Sequence, residues 1–402
     1  MKRSLALMAA LALAACSDQT ESPVGALETA PAAAAKYIVV MKDAGFRGPR
    51  LSVAAEIRGM AEASGVQPKF VYGTVLKGFA AELSAAQVAA LRADPRVAYV
   101  EPDARAQLFT TQTGATWGID RVDQADLPLS GTFTYLATGA GVTAYILDTG
   151  IRKSHTQFAG RADYVANGRG GDFVGDGRAN AEDCHGHGTH VAGTIGSTTY
   201  GLAKAVQLRG ARVVNCSGGG DASMVIAAMD WVAANGSKPG VVNMSLGYGN
   251  VQSVRDAAER LVAAGFFVAV AAGNGNIFGI PQNACTQAPG GAPSVMTTGS
   301  TTSSDAESSF SNYGTCVDIL APGSSITSTW YTNDTATNTI SGTSMASPHV
   351  AGVGALYLSL NPTATPAQVT SALKAAGTPN TISLHSRSRT YGTPNLFLFT
   401  GY

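Results

Sequence analysis

Three short runs hold the side chains able to do chemistry. In Ser341-Gly342-Thr343-Ser344-Met345-Ala346-Ser347-Pro348-His349, Ser344 sits among small residues just before an apolar helical stretch at 350–360. Gly and Ala neighbours leave room for a substrate, and the unpaired N–H groups of a first helical turn favour negative charge beside the hydroxyl. Alone, the run could be only a helix start with a Ser cap, the reading that holds for most serines. The second run, Cys184-His185-Gly186-His187-Gly188-Thr189-His190-Val191-Ala192-Gly193, carries three histidines in six residues. Zinc proteases space their histidines four apart on a helix around a Glu, and no Glu stands here. A general base for a serine fits better, with His187 at the head of a helix starting near Thr189 and His190 structural. The third run, Asp148-Thr149-Gly150, follows the apolar residues 144–147, so a carboxylate stands where a strand ends and can orient a base. An aspartic protease needs a second such motif on an all-β scaffold, and the chain has neither.

Strand-like runs alternating with helical ones must position these groups. Strands are predicted at 142–147, 212–215, 241–244, 266–271, 295–298 and 317–320, and helices at 189–195, 222–234 and 251–264. That pattern predicts an α/β fold, a mainly parallel sheet covered by helices, with ligands bound beyond the carboxyl ends of its strands. Ahead of it, a strand at 37–40, a helix at 51–63, strands at 70–75 and 79–83, a helix behind a Ser84/Gln87 capping box and a strand at 97–100 follow the ferredoxin-like order.

The 402 residues, with 27 basic and 27 acidic side chains and 13% charged overall, suit a two-domain exported protein and give no sign of a nucleic-acid partner. Lys2 and Arg3 precede an apolar run at 5–15, too short to span a bilayer, which reads as an export signal. Leu13-Ala14-Ala15-Cys16 resembles the bacterial lipoprotein box, which implies cleavage before Cys16, lipidation of that cysteine and attachment to a membrane of the cell envelope. Residues 16–35 read as a flexible tether. Lipidation of Cys16 also accounts for the odd cysteine count, leaving Cys184, Cys216, Cys285 and Cys316 for two bridges, with three pairings open.

Taken in order, the runs at Asp148, His187 and Ser344 resemble the three signatures of the subtilisin-like serine proteases, nearest the proteinase K and aqualysin branch. The resemblance implies a seven-stranded sheet, polypeptide substrates and a monomer. It implies that Ser344 attacks, that neutral His187 takes and returns the proton, and that Asp148 fixes the imidazole tautomer. Activity should then fail as His187 protonates near its reference pKa of about 6.5. Ala272-Gly273-Asn274 resembles the oxyanion segment, making Asn274 the side-chain donor. Ser217-Gly218-Gly219-Gly220 and Ser245-Leu246-Gly247-Tyr248 match the segments that sandwich an extended peptide. A pocket of Ala271, Ala272, Gly273, Ser245, Leu246 and Gly247 holds no acid, which implies apolar or aromatic preference.

The same resemblance pairs Cys184 with Cys216 and Cys285 with Cys316, and likens Pro293, Val295 and Asp318 to a calcium site. An Asp318 held by a salt bridge or by solvent is the alternative. Residues 36–107 resemble an inhibitory propeptide, cut somewhere between Leu108 and Thr113 in the linker 108–116 and leaving a catalytic domain at 117–402, secreted or lipid-anchored. His185 stands where close relatives usually carry Asn. A silent surface-binding lipoprotein with this fold is the competing reading, but binding alone requires none of Asp148, His187, Asn274 and Ser344.

Overall fold

The structure, a computed structural model, describes residues 35–43, 50–104 and 109–401, with backbone alone at 50–52. The signal, Cys16 and all but the last residue of the tether lie outside the described residues, as does the start of the processing linker. The chain forms two compact units divided between Ala106 and Gln107.

In the first unit a four-stranded antiparallel sheet runs Phe70–Gly73, Lys77–Leu83, Ala35–Met41, Val97–Pro102. Helices Arg50–Ala63 and Ala85–Ala93 complete the ferredoxin-like order, and Val39, Ile57, Phe79, Leu83 and Leu91 build its core. The second helix opens on the capping box of Ser84 and Gln87. The strand from Phe70 stops at Gly73 rather than at Val75, because residues 74–76 turn the hairpin and leave Val75 in solvent.

The second unit is built on a nine-stranded sheet. Seven parallel strands form its body, in the order Ile319–Pro322, Met296–Thr301, Phe267–Ala271, Gly240–Met244, Thr143–Asp148, Gln207–Arg212, Ala162–Tyr164. Two-residue strands Leu396–Phe397 and Thr378–Pro379 extend the first edge. One expected strand is displaced. The run 212–215 ends a strand rather than forming one, and the strand is the polar Gln207–Arg212. Its apolar signal is weak because half-buried Gln207 and Arg209 alternate with Leu208 and Gly210, and its last residue, Arg212, is buried on the carboxylates of Asp172 and Asp176.

Strand parity decides which face carries the chemistry. Successive side chains of Thr143–Asp148 point to opposite faces. Ala144 and Ile146 join the core containing Val191 and Ile195 of helix His187–Gly196 and Met345 and Val350 of helix Thr343–Leu360. Tyr145 and Leu147 join the other core, with Val225 and Met229 of helix Ala222–Asn235 and Val254 and Leu261 of helix Gln252–Ala263. Asp148 has the parity of Ala144 and Ile146, so it emerges on the face that holds the helices carrying His187 and Ser344. It also ends the strand at which the chain changes direction of winding, with Gln207–Arg212 on one side and Gly240–Met244 on the other. Among the described residues no helix is long and apolar enough to cross a membrane.

Candidate active site

His187 is the first residue of its helix, two positions earlier than the sequence suggests. Its Nδ1 lies 2.7 Å from Asp148 Oδ1, which also accepts the Thr149 N–H at 2.7 Å. Asp148 is buried, whereas the His187 side chain keeps 23% of its surface exposed. Burial works against an imidazolium here, but the charge and hydrogen bond of Asp148, helped by the charge of Asp183, outweigh it and raise the His187 pKa.

Asp183 escapes the sequence reading. Its buried carboxylate accepts the N–H groups of His185, Gly186 and Thr189 at 2.9 Å each, and the hydroxyls of Thr149 and Thr189 at 2.9 and 2.6 Å. The Gly186 and Thr189 N–H groups are among the orphan donors of the helix start, so one carboxylate both caps the helix and holds its head against the Asp148 turn. Thr149 Oγ1 in turn accepts the Gly188 N–H at 2.9 Å. The approach is close enough that a Cβ on Gly188 would stand 2.1 Å from the Gly150 carbonyl oxygen. The recognisable signal is an Asp a few residues ahead of a helix start.

Ser344 lies in the first turn of an apolar, almost wholly buried helix that starts at Thr343, before the 350–360 stretch, and tolerates Pro348 inside it. Pro348 has no N–H to give the carbonyl four residues back, which is that of Ser344. Ser245 Oγ supplies the missing donor at 2.8 Å. Asn243, buried on the neighbouring strand, donates to Ser245 Oγ at 2.9 Å and accepts from Ser347 Oγ at 2.7 Å. The Ser344 hydroxyl donates to the Ser245 carbonyl at 3.1 Å, not to His187.

Asn274 is exposed beyond the end of strand Phe267–Ala271. Its Oδ1 accepts the N–H and hydroxyl of Thr343 at 2.8 and 2.9 Å, which leaves Nδ2 as the free end of the amide. A Cβ placed on Gly342 would lie 3.3 Å from Asn274 Nδ2 and 3.6 Å from Ser344 N, so glycine there keeps open the space both donors face. Asn274→Ala is expected to lower kcat by about 10²–10³ with little change in KM. Asn274→Asp keeps the acceptor for Thr343 and loses the donor. Steady-state kinetics on both variants check the assignment, which fails if Asn274→Asp retains full kcat.

A cleft of about 440 Å³ joins Asp148 and His187 to Gly218, Gly219, Gly220, Ser245, Leu246 and Gly247. Asn215 Oδ1 shapes its near wall by accepting from the N–H groups of Ser217 and Gly219 at 2.9 and 3.1 Å. Ala271, Ala272 and Gly273 do not line this cleft; Ala271 and Ala272 are buried, and the Ala272 carbonyl accepts from Asn312 Nδ2 at 2.8 Å. His185 also lines the cleft, its ring centroid 6.4 Å from that of His187. His190 is buried behind the base with Nε2 on the Ile326 carbonyl at 3.0 Å, and burial pushes its pKa down to about 4. Disulfides join Cys184 to Cys216 and Cys285 to Cys316. The first ties the loop ahead of His187 to the glycine wall.

Pro293 and Val295 stand just ahead of strand Met296–Thr301 and Asp318 just ahead of its parallel neighbour Ile319–Pro322, but both oxygens of Asp318 are engaged. Oδ2 accepts the Thr297 N–H at 2.8 Å and Oδ1 meets the Lys374 ammonium at 2.6 Å. A calcium ion needs oxygen ligands at about 2.3–2.6 Å, and the ammonium holds that distance from the set's one carboxylate. The residues as they stand do not fit the ion.

A serine on a helix start, a histidine paired to a buried carboxylate and a main-chain-lined cleft at the carboxyl ends of a parallel sheet together define a serine-hydrolase class of site on a subtilisin-like fold. The Subtilase family profile matches residues 139–393, and the Peptidase inhibitor I9 profile matches residues 36–109. An "Extracellular serine proteinase" of Thermus sp. (strain Rt41A) is 47% identical over 98% of this chain and 98% of its own. "Alkaline serine exoprotease A" of Vibrio alginolyticus is 50% identical over 76% of this chain and 56% of its own. A solved structure of a cold adapted subtilisin-like serine proteinase superposes with a TM-score of 0.66 at 48% identity, covering 72% of this chain and 99% of that one. The chain belongs to the subtilase family and is a subtilisin-like serine protease carrying an I9 propeptide.

Proposed function

We propose that this protein is a serine endopeptidase that works through an acyl-enzyme at Ser344 and matures by cutting its own propeptide. The observation that carries the reading is the His187–Asp148 hydrogen bond on the sheet face that also presents Ser344. Substrate lies as an added strand between residues 217–220 and 245–247. The Ser344 hydroxyl turns from the Ser245 carbonyl to His187 Nε2, gives up its proton there and attacks the scissile carbonyl. Negative charge on the former carbonyl oxygen is met by Asn274 Nδ2 and the Ser344 N–H. Collapse breaks the C–N bond as His187 returns the proton to the leaving amine. Water then repeats the cycle on the ester and frees the acid.

The walls around Ala271, Ala272, Gly273 and residues 245–247 carry no charge, so the residue before the cut is apolar or aromatic. The enzyme acts as a monomer outside the cytoplasm. Its anchor is a lipidated Cys16, for which the other four cysteines leave no disulfide partner. A sulfonyl fluoride is expected to label Ser344 in the mature enzyme, and a matched peptide series to be cut fastest after Phe or Leu. Peptide binding without labelling favours the silent lipoprotein, and equal cleavage after Arg overturns the specificity.

A further inference from the structure

The Asp318 corner has its own logic. Asp318 and Thr297 exchange bonds across neighbouring strands: the Asp318 N–H donates to the Thr297 carbonyl at 2.8 Å, and the Thr297 N–H to Asp318 Oδ2 at 2.8 Å. That leaves Oδ1, on a side chain 20% exposed, as an acceptor directed away from the ladder. Lys374 fills it from the last turn of helix Pro366–Ala376, where a cation also complements the helix dipole. The helix is fixed by a capping box between Thr365 and Gln368 and by buried Val369 and Leu373, so the ammonium arrives on a rigid element. A divalent ion bound to the same oxygen would face that ammonium at close range, with like charges opposed.

We propose that Lys374 is a built-in cation in the seat that calcium would take beside Pro293, Val295 and Asp318, so that this corner is held without the metal. The seat is filled from the chain's own helix, and the ion becomes competent to bind only when the lysine is removed.

The test uses the full chain with Ser344→Ala, which prevents autolysis, and compares Tm in calcium and in a chelator. Asp318→Asn is expected to leave the calcium-dependent part of Tm unchanged while Lys374 is present, whatever other sites contribute. Lys374→Ala is expected to add a calcium-dependent rise of roughly 5 °C at a hundredfold excess over Kd, removed again by Asp318→Asn. Terbium luminescence at the same site gives a second readout in the folded state. A calcium increment that Asp318→Asn shrinks while Lys374 is present shows that the ion displaces the lysine and overturns the proposal. So does a Lys374→Ala protein that gains no calcium response.

Discussion

Ser344→Ala is expected to abolish peptide hydrolysis and to leave the chain as an uncut precursor. The oxygen removed is the one that forms the acyl bond, and no neighbouring hydroxyl can replace it. Ser245 Oγ is committed to the Ser344 carbonyl and Ser347 Oγ to Asn243. In subtilisin, the family's worked case, losing the serine costs about 2 × 10⁶ in kcat, and the same order is expected here. The fold should survive, because the hydroxyl's one hydrogen bond among the described residues is to the Ser245 carbonyl at 3.1 Å, a net contribution of about 1 kcal/mol. The precursor's fate adds a second readout. Thr110–Thr113 pairs with Thr132–Tyr135, and Gln112 is held by the Thr199 carbonyl at 2.9 Å and the Lys204 ammonium at 2.5 Å. Residues from Thr110 onward are therefore part of the folded peptidase unit, and a cut inside that strand would sever a working pairing. Mass spectrometry of the active protein is expected to find a new N-terminus no later than Thr110, and of Ser344→Ala to find none. A processed Ser344→Ala chain, with no other protease present, would overturn self-cleavage.

The groups proposed to be catalytic stand out in the sequence because each sits in a run whose small residues have a local reason. Gly188 admits the Gly150 carbonyl, and Gly342 leaves open the space before Asn274 Nδ2 and the Ser344 N–H. The groups that hold them were not legible, since their reasons are long-range. Asp183 reads as one more acid in the polar run at 182–184, and only the fold brings five donors to it. Asn243 looks like an interruption of an apolar strand until Ser245 and Ser347 converge on it. Pro348 argues for a later helix start, and nothing local reveals that Ser245 satisfies the carbonyl it strands. The strand Gln207–Arg212 escapes for a related cause: the half-buried Gln207 and Arg209 alternate with Leu208 and Gly210 along it, so it offers little apolar run to read. Apolar periodicity reports burial by hydrophobic contact, and Asp183, Asn243 and Arg212 are buried by hydrogen bonds and charge.

Asp148→Asn is expected to lower the plateau of kcat/KM by about 10³–10⁴ and to move its acid limb to lower pH. The loss has the scale known for the corresponding change in a chymotrypsin-type triad, but its origin can be read from the bonds here. Asp148 Oδ1 accepts both from Thr149 N and from His187 Nδ1. An amide must therefore choose. With oxygen kept at Oδ1 its NH₂ takes the place of Oδ2, which is buried without a hydrogen-bond partner among the described residues. With NH₂ at Oδ1 it opposes the Thr149 N–H and meets Nδ1 as a donor, which fixes the proton on Nε2 and disables the base. Either way the negative charge facing a developing imidazolium is gone. The pH shift follows in sign. In the native site burial lowers the His187 pKa while Asp148 and Asp183 raise it, with a net rise, so the acid limb should lie above the reference value of about 6.5. Without the Asp148 charge, burial prevails over what Asp183 supplies, the pKa falls, and the base stays neutral to more acid pH. A kcat/KM profile against an uncharged peptide measures both effects at once. A variant whose plateau drops while its acid limb stays or rises would mean that Asp148 does not set the charge of His187, and that the raised pKa must come from Asp183 at the head of the helix.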